Sequence, residues 1–231
     1  MSALSLFADP ETAMVLLPEF TLVVGLVLMV LVPNLGRATF RLPIPNTNIR
    51  LPYLLGGKRF AFTSNPRMPG IISMTTLLFA AALALWSQME SPLSEYNVWC
   101  VTSAGEAYAS CQGMVDPSIL KVDGFSRLME ILFFGALALC SIASWNRIPA
   151  TPRFLISADK LRGEEEDIRI AQLLNNRRQV DFHLLLLMVG LGMAVVALSS
   201  DLFLMFVGLE LASLASYVLV AFLKEEKTGP E

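Results

Sequence analysis

The chain has 231 residues, 55% hydrophobic and 16% charged, with a formal net charge of −3 and a mean hydropathy of +0.60, whereas an ordinary soluble domain is roughly a quarter charged. That argues against a soluble enzyme, and the lack of a basic excess excludes a general nucleic-acid binder, which must neutralise phosphates. His183 is the single histidine, too few for a three-His zinc site or a bis-histidine haem. Cys100, Cys111 and Cys140 include no C-x-x-C pair, so no metal ligands and no cofactor are expected in this chain.

In chain order, a tail over 1–13 precedes five apolar stretches of bilayer length, at 14–32, 70–89, 125–144, 182–199 and 202–223. They contain four of the chain's charged residues, Glu19, Arg127, Glu130 and Glu210. The segments between them, 33–69, 90–124 and 145–181, and the tail 224–231 have the charge density of solvated surface. The predicted fold is an all-α transmembrane five-helix bundle. Lys and Arg number 0, 6, 1, 7, 0 and 2 in the successive segments outside the stretches. By the positive-inside rule, this alternation puts the N-terminus and the 90–124 loop outside, and the two long basic loops and the C-terminus inside. The first residues carry Asp9 and Glu11 but no Lys or Arg, so no cleaved presequence is read there.

The loop at 33–69 holds Pro33, Pro43, Pro45, Pro52, Pro66 and Pro69 with Gly56 and Gly57, which suits an extended strap better than a helix. Within 145–181, Ile168, Ala171, Leu173 and Leu174 recur at helical spacing among charged residues. They predict an amphipathic surface helix over 157–178, starting near Ser157 and Asp159, the alternative being a solvated charged loop. In the outer loop, Cys100 and Cys111 lie in the one compartment where a disulfide would persist, so they are either a bridge or two small residues.

A charge at mid-depth in a bilayer costs a few kcal/mol on insertion scales. Glu19, beside Pro18, lies near the outer end of its stretch, and Arg127 and Glu130 lie near the outer end of theirs, so structural roles suffice for them. Asp123 and Arg127, four apart, predict an interfacial ion pair on one helix face. Glu210 is different, because it lies about 13 Å into its stretch and out of reach of either interface. Phe206, Ser213 and Tyr217 share its helix face, while Gly208, Ala212, Ala215 and Ser216 form a small-residue stripe roughly opposite, suited to close packing. A carboxylate, hydroxyl and phenol on one buried face suit an intramembrane proton path, with Glu210 as the relay and Ser213 and Tyr217 in support. Since burial raises a carboxylate's proton affinity and a nearby cation lowers it, a moving cation would complete a relay. No stretch here contains a Lys.

At these residues the chain resembles a known family. Leu16-Leu17-Pro18-Glu19, then Asp123-Gly124-Phe125-Ser126-Arg127, and then Asp181-Phe182-His183 through Leu191-Gly192-Met193, Ala197 to Leu202, Gly208-Leu209-Glu210-Leu211 and Ser216 to Leu219 resemble, in order, the antiporter-like membrane subunit of proton-pumping NADH:quinone oxidoreductase, respiratory complex I. That subunit is called N in bacteria and 2 in mitochondria. The resemblance implies that Glu210 corresponds to a fifth-helix glutamate that works beside a lysine on a later helix. It also implies that flavin, iron–sulfur clusters and quinone belong to other subunits of the complex. The family has two inverted five-helix repeats, whereas this chain stops after its fifth stretch. A split subunit is therefore expected, with a second chain supplying the remaining helices, the alternative being a truncated chain. The expected partners are that chain, other membrane-arm subunits and lipid. A split eases import of a hydrophobic protein, so the expected location is the mitochondrial inner membrane, with the bacterial plasma membrane as alternative. Two competing functions are a structural or assembly subunit in which Glu210 only packs, and a fragment of a cation/proton antiporter.

Overall fold

Pro18 breaks the first apolar stretch. It has no N–H for the carbonyl of Met14, and the chain forms a six-residue helix, α1 (Pro10–Val15), then a turn at Leu16, then α2 (Leu17–Leu31). The computed structural model describes residues 10–31, 35–41, 50–54, 68–90, 95–101, 107–110, 118–144 and 165–221. The remaining helices among these residues are α3 (Met68–Glu90), α4 (Gly124–Ser144), α5 (Glu165–Leu198) and α6 (Leu202–Ala221).

Among the described residues four segments are long and apolar enough to cross a membrane: α3, α4, the Gln179–Leu198 part of α5, and α6. The first of the five expected spans is the exception, because the break leaves α2 only 15 residues long. At 1.5 Å per residue, α2 alone spans about 22 Å, short of a hydrocarbon core of about 30 Å.

The expected surface helix is not a separate element. From Glu165 the chain runs in one helix of 34 residues through to Leu198, and no Gly or Pro lies between 165 and 189 to stop it. The first part of that expectation, residues 157–164, lies outside the described residues.

Among the described residues two small antiparallel sheets accompany the helices. β1 (Leu35–Arg41) pairs with β2 (Arg50–Leu54) within the Pro-rich loop, with a register shift between the Leu35 and Thr39 pairs. β3 (Tyr96–Val101) lies between β4 (Ala107–Ser110) and β5 (Ser118–Val122) in a three-stranded sheet of order β4-β3-β5. Tyr96, Val98 and Trp99 supply the β-branched and aromatic character that a pleated, half-buried surface favours. Cys111 lies outside the described residues, so the Cys100–Cys111 bridge falls outside them too; Cys140 is a free, exposed thiol.

The three-stranded sheet caps one end of the helices. Val98, Leu120 and Val122 from the sheet join Leu16 and Leu198 in one buried cluster. Leu120 makes an isolated bridge to Ser199, and the Ser200 N–H donates to the Ile119 carbonyl at 3.0 Å, so β5 is tied to the turn between α5 and α6. At that turn Asp201 caps α6, its Oδ2 accepting from the Leu204 N–H at 3.1 Å.

Away from the cap, α2, α3, α4 and α5 pack on one another around Leu22, Met29, Leu77, Phe134 and Leu187, each fully buried. α6 stands to one side, packing chiefly on α5. The contact is between glycines: a Cβ on Gly192 would lie 2.7 Å from the Ala212 nitrogen and 2.8 Å from the Gly208 carbonyl oxygen. Small residues allow helix backbones in a bilayer to approach this closely, and there packing rather than a hydrophobic driving force holds helices together.

Candidate functional site

The sheet end of the bundle holds a buried charge cluster. Arg127, one turn into α4, is 2% exposed, and Glu130 on the same helix is 0% exposed. Arg127 Nη1 donates to Glu130 Oε2 at 2.6 Å and to Glu19 Oε1 at 3.4 Å, so two carboxylates converge on one guanidinium nitrogen. Arg127 Nη2 donates to the Val15 carbonyl, which sits at the break between α1 and α2. One guanidinium thus fastens the broken first segment to α4, using the planar fork that makes Arg suited to several acceptors at once.

Asp123 was expected to pair with Arg127. Instead it is the N-cap of α4: its Oδ1 accepts from the Ser126 N–H at 2.8 Å, and its own N–H donates to Ser126 Oγ at 2.9 Å. This reciprocal arrangement satisfies donors that a helix start leaves open. Glu19 and Glu130 are the carboxylates that meet the arginine.

Glu210 is separate from this cluster. Gly208 and Ala215 on one side of α6 are buried against the bundle, whereas Glu210 lies on the opposite, exposed side. Phe206 and Tyr217 share that side, Tyr217 being 71% exposed, and Ser213 is half-buried beside them. The Ser213 hydroxyl donates to the Glu210 backbone carbonyl at 3.2 Å, and Ser216 Oγ donates to the Ser213 carbonyl at 2.8 Å. Ser213 is therefore turned toward the backbone rather than the Glu210 carboxylate. Leu214 and Val218 extend the exposed face, and α6 is the least buried of the four long apolar segments.

The sequence did not show that three polar side chains on different helices are buried together. Ser73 on α3, Ser141 on α4 and His183 on α5 are buried inside the bundle. Isolated hydroxyls and a lone histidine in apolar helices look unremarkable in sequence; only the packing shows that they share an interior. Among the described residues no three His, Cys, Asp or Glu side chains are grouped to hold a metal.

No protein-family model matches the chain. Curated relatives do. The chain is 26% identical over 161 residues to NADH-quinone oxidoreductase subunit N 1 of Solibacter usitatus, a match covering 68% of this chain and 28% of that protein. It is 35% identical over 124 residues to NADH-quinone oxidoreductase subunit N of Dehalococcoides mccartyi, covering 53% of this chain and 24% of the relative. Over 51 residues it is 49% identical to subunit N 1 of Koribacter versatilis, covering 22% of this chain and 10% of that protein. The matched part thus spans at most 28% of these relatives' own length. With several apolar helices of bilayer length and these matches, the chain is a multi-pass membrane protein that is, over about half its length, similar to NADH-quinone oxidoreductase subunit N.

Proposed function

We propose that the chain is a membrane-arm component of a proton-pumping NADH:quinone oxidoreductase, respiratory complex I, and that Glu210 takes part in its intramembrane proton path. The observation that carries this reading is the position of Glu210: a carboxylate about 13 Å along a membrane-length helix, on the side of α6 that its own bundle leaves uncovered. Lipid is a poor neighbour for such a group, and intramembrane carboxylates face protein or a water-filled cavity. The face from Phe206 to Tyr217 is therefore covered by further helices of the assembly, which in this reading come from a second chain carrying the rest of the subunit.

Those helices also supply what the described spans do not offer. The one Lys or Arg within the described spans is Arg127, already engaged by Glu19 and Glu130. A cation brought to the Glu210 carboxylate from a partner helix would favour proton release, and its withdrawal would favour uptake, which is how charge movement elsewhere in a complex can drive a proton step here. Tyr217, on the same face, offers a phenol to such a path. Electron transfer, with its flavin, iron–sulfur clusters and quinone, takes place on other subunits.

The basic loops at 33–69 and 145–181 set the orientation, with the N-terminus outside and both loops and the C-terminus inside. The membrane is the one that houses the oxidoreductase: the mitochondrial inner membrane if the subunit is split for import, the bacterial plasma membrane if the chain shares the habitat of its relatives.

Replacing Glu210 by Gln tests the relay. The variant is expected to assemble normally while NADH-driven proton translocation falls several-fold. Full translocation and turnover in the variant would remove the relay and leave a structural or assembly role.

A further inference from the structure

α3, α4 and α5 meet in one layer: a Cβ on Gly190 would stand 3.1 Å from Leu137 Cδ1 and 3.6 Å from Leu77 Cδ2. These three residues therefore mark the seam-facing side of their helices. Ser73 lies four residues before Leu77, Ser141 four residues after Leu137, and His183 seven residues before Gly190. Spacings of four and seven return to the same helix face. The sheet caps the end of the bundle where α4 starts and α5 finishes, and α3 ends six residues before the sheet begins. All three steps thus lead away from the sheet, into the same half of the same seam.

Ser73 and Ser141 are 0% exposed and His183 is 2% exposed. Ser73 Oγ, Ser141 Oγ and His183 Nδ1 have no hydrogen-bond partner among the described residues. Four other hydroxyls of the bundle bond locally instead. Thr21, Thr75, Thr76 and Ser144 each donate to a carbonyl three or four residues earlier on their own helix. Ser73 and Ser141 do not, and their hydroxyls stay available to the seam.

We propose that this seam is an internal water-binding site, in which one or two water molecules bond to His183 Nδ1, Ser141 Oγ and Ser73 Oγ. Ser73 Oγ, Ser141 Oγ and His183 Nδ1 make no direct bond to one another or to other described residues, and a water molecule supplies both the donors and the acceptors they lack. Buried polar groups are almost always paired, and interior waters typically make about three bonds to groups of this kind. A bridging water is nearly as good a partner as a direct bond. Toward the sheet, Leu77, Leu137 and Gly190 form an apolar layer across the seam, so the site does not continue in that direction. It is separate from the exposed Glu210 face, and its geometry owes nothing to the proton-relay reading.

The test is a density map of the native membrane assembly at a resolution that shows ordered solvent, compared with maps of the Ser73→Ala/Ser141→Ala double variant and of Glu210→Gln. The expected result is a solvent peak within hydrogen-bond distance of His183 Nδ1 and of at least one of the two hydroxyls, lost or displaced in the double variant and retained in Glu210→Gln. A dry seam, with His183 Nδ1 bonded to protein, overturns the site. So does a peak that persists unmoved in the double variant, because the two hydroxyls would then not hold it. Since the readout is density, Glu210→Gln can fail as a relay test without touching this result, and the reverse.

Discussion

Gly192 of α5 and Gly208 of α6 face one another so closely that each helix's backbone occupies the space a side chain would need. A Cβ on Gly208 would lie 3.0 Å from the Gly192 carbonyl oxygen, and one on Gly192 would lie 2.8 Å from the Gly208 oxygen. This contact fixes how α6 rotates on the bundle, and so which way Glu210 faces.

Gly208→Leu is therefore expected to separate α5 from α6 and to prevent assembly, since overpacking a tight contact costs about 1–3 kcal/mol and here the obstacle is backbone as well as side chain. Gly135→Ala serves as the control. A Cβ there meets nothing within 4 Å, so that variant should lie within about 0.5 kcal/mol of the parent or gain slightly from helix propensity. Abundance of the assembled form on native gels reads both.

Arg127→Met should be among the most damaging single changes. It leaves the Glu19 and Glu130 carboxylates without their shared cation in a buried site, and removing one partner of a buried ion pair costs about 3–5 kcal/mol. It also releases the Val15 carbonyl at the α1–α2 break. Thermal unfolding in detergent should show a large drop in midpoint; a variant as stable as the parent would mean that the cluster does not form.

Asp123 separates two accounts of the start of α4. Because it caps the helix and does not pair with Arg127, Asp123→Asn should be nearly silent, Asn being an equally good cap, whereas Asp123→Ala should cost about 1 kcal/mol. If Asn proves as harmful as Ala, the charge matters and the ion-pair reading returns.

Ser213→Ala is expected to leave proton translocation unchanged, since its hydroxyl is bonded to the Glu210 backbone carbonyl. Paired with Glu210→Gln it distinguishes the carboxylate from its neighbourhood. A translocation defect in Ser213→Ala would put the hydroxyl on the path.

The membrane-helix class was legible because a bilayer imposes a length and forbids charge, and both constraints are local in sequence. The face of α6 that packs was also legible, since Gly208, Ala212 and Ala215 recur on one side of the helix. Which helix they meet was not, because nothing near them in sequence names Gly192. The partner of Arg127 was misread for the same reason: Asp123 was the neighbour four residues away, while one true partner, Glu19, is 108 residues distant. The continuation of α5 from 165 was missed because its polar first half looks unlike its apolar second half, although no residue there stops a helix. The strands of the sheet cap lay in a loop read for its charge and its cysteines, though Tyr96, Val98 and Trp99 carried the signal.

In the proposed assembly, helices of an NADH:quinone oxidoreductase cover the Glu210 face. Its most direct test is gentle detergent extraction of the native membrane, a native gel, and mass spectrometry of the band that contains this chain. The expected result is a very large assembly holding flavin and iron–sulfur subunits together with a chain bearing Lys-containing membrane helices. Migration of the chain alone, or as a small homo-oligomer, would contradict it.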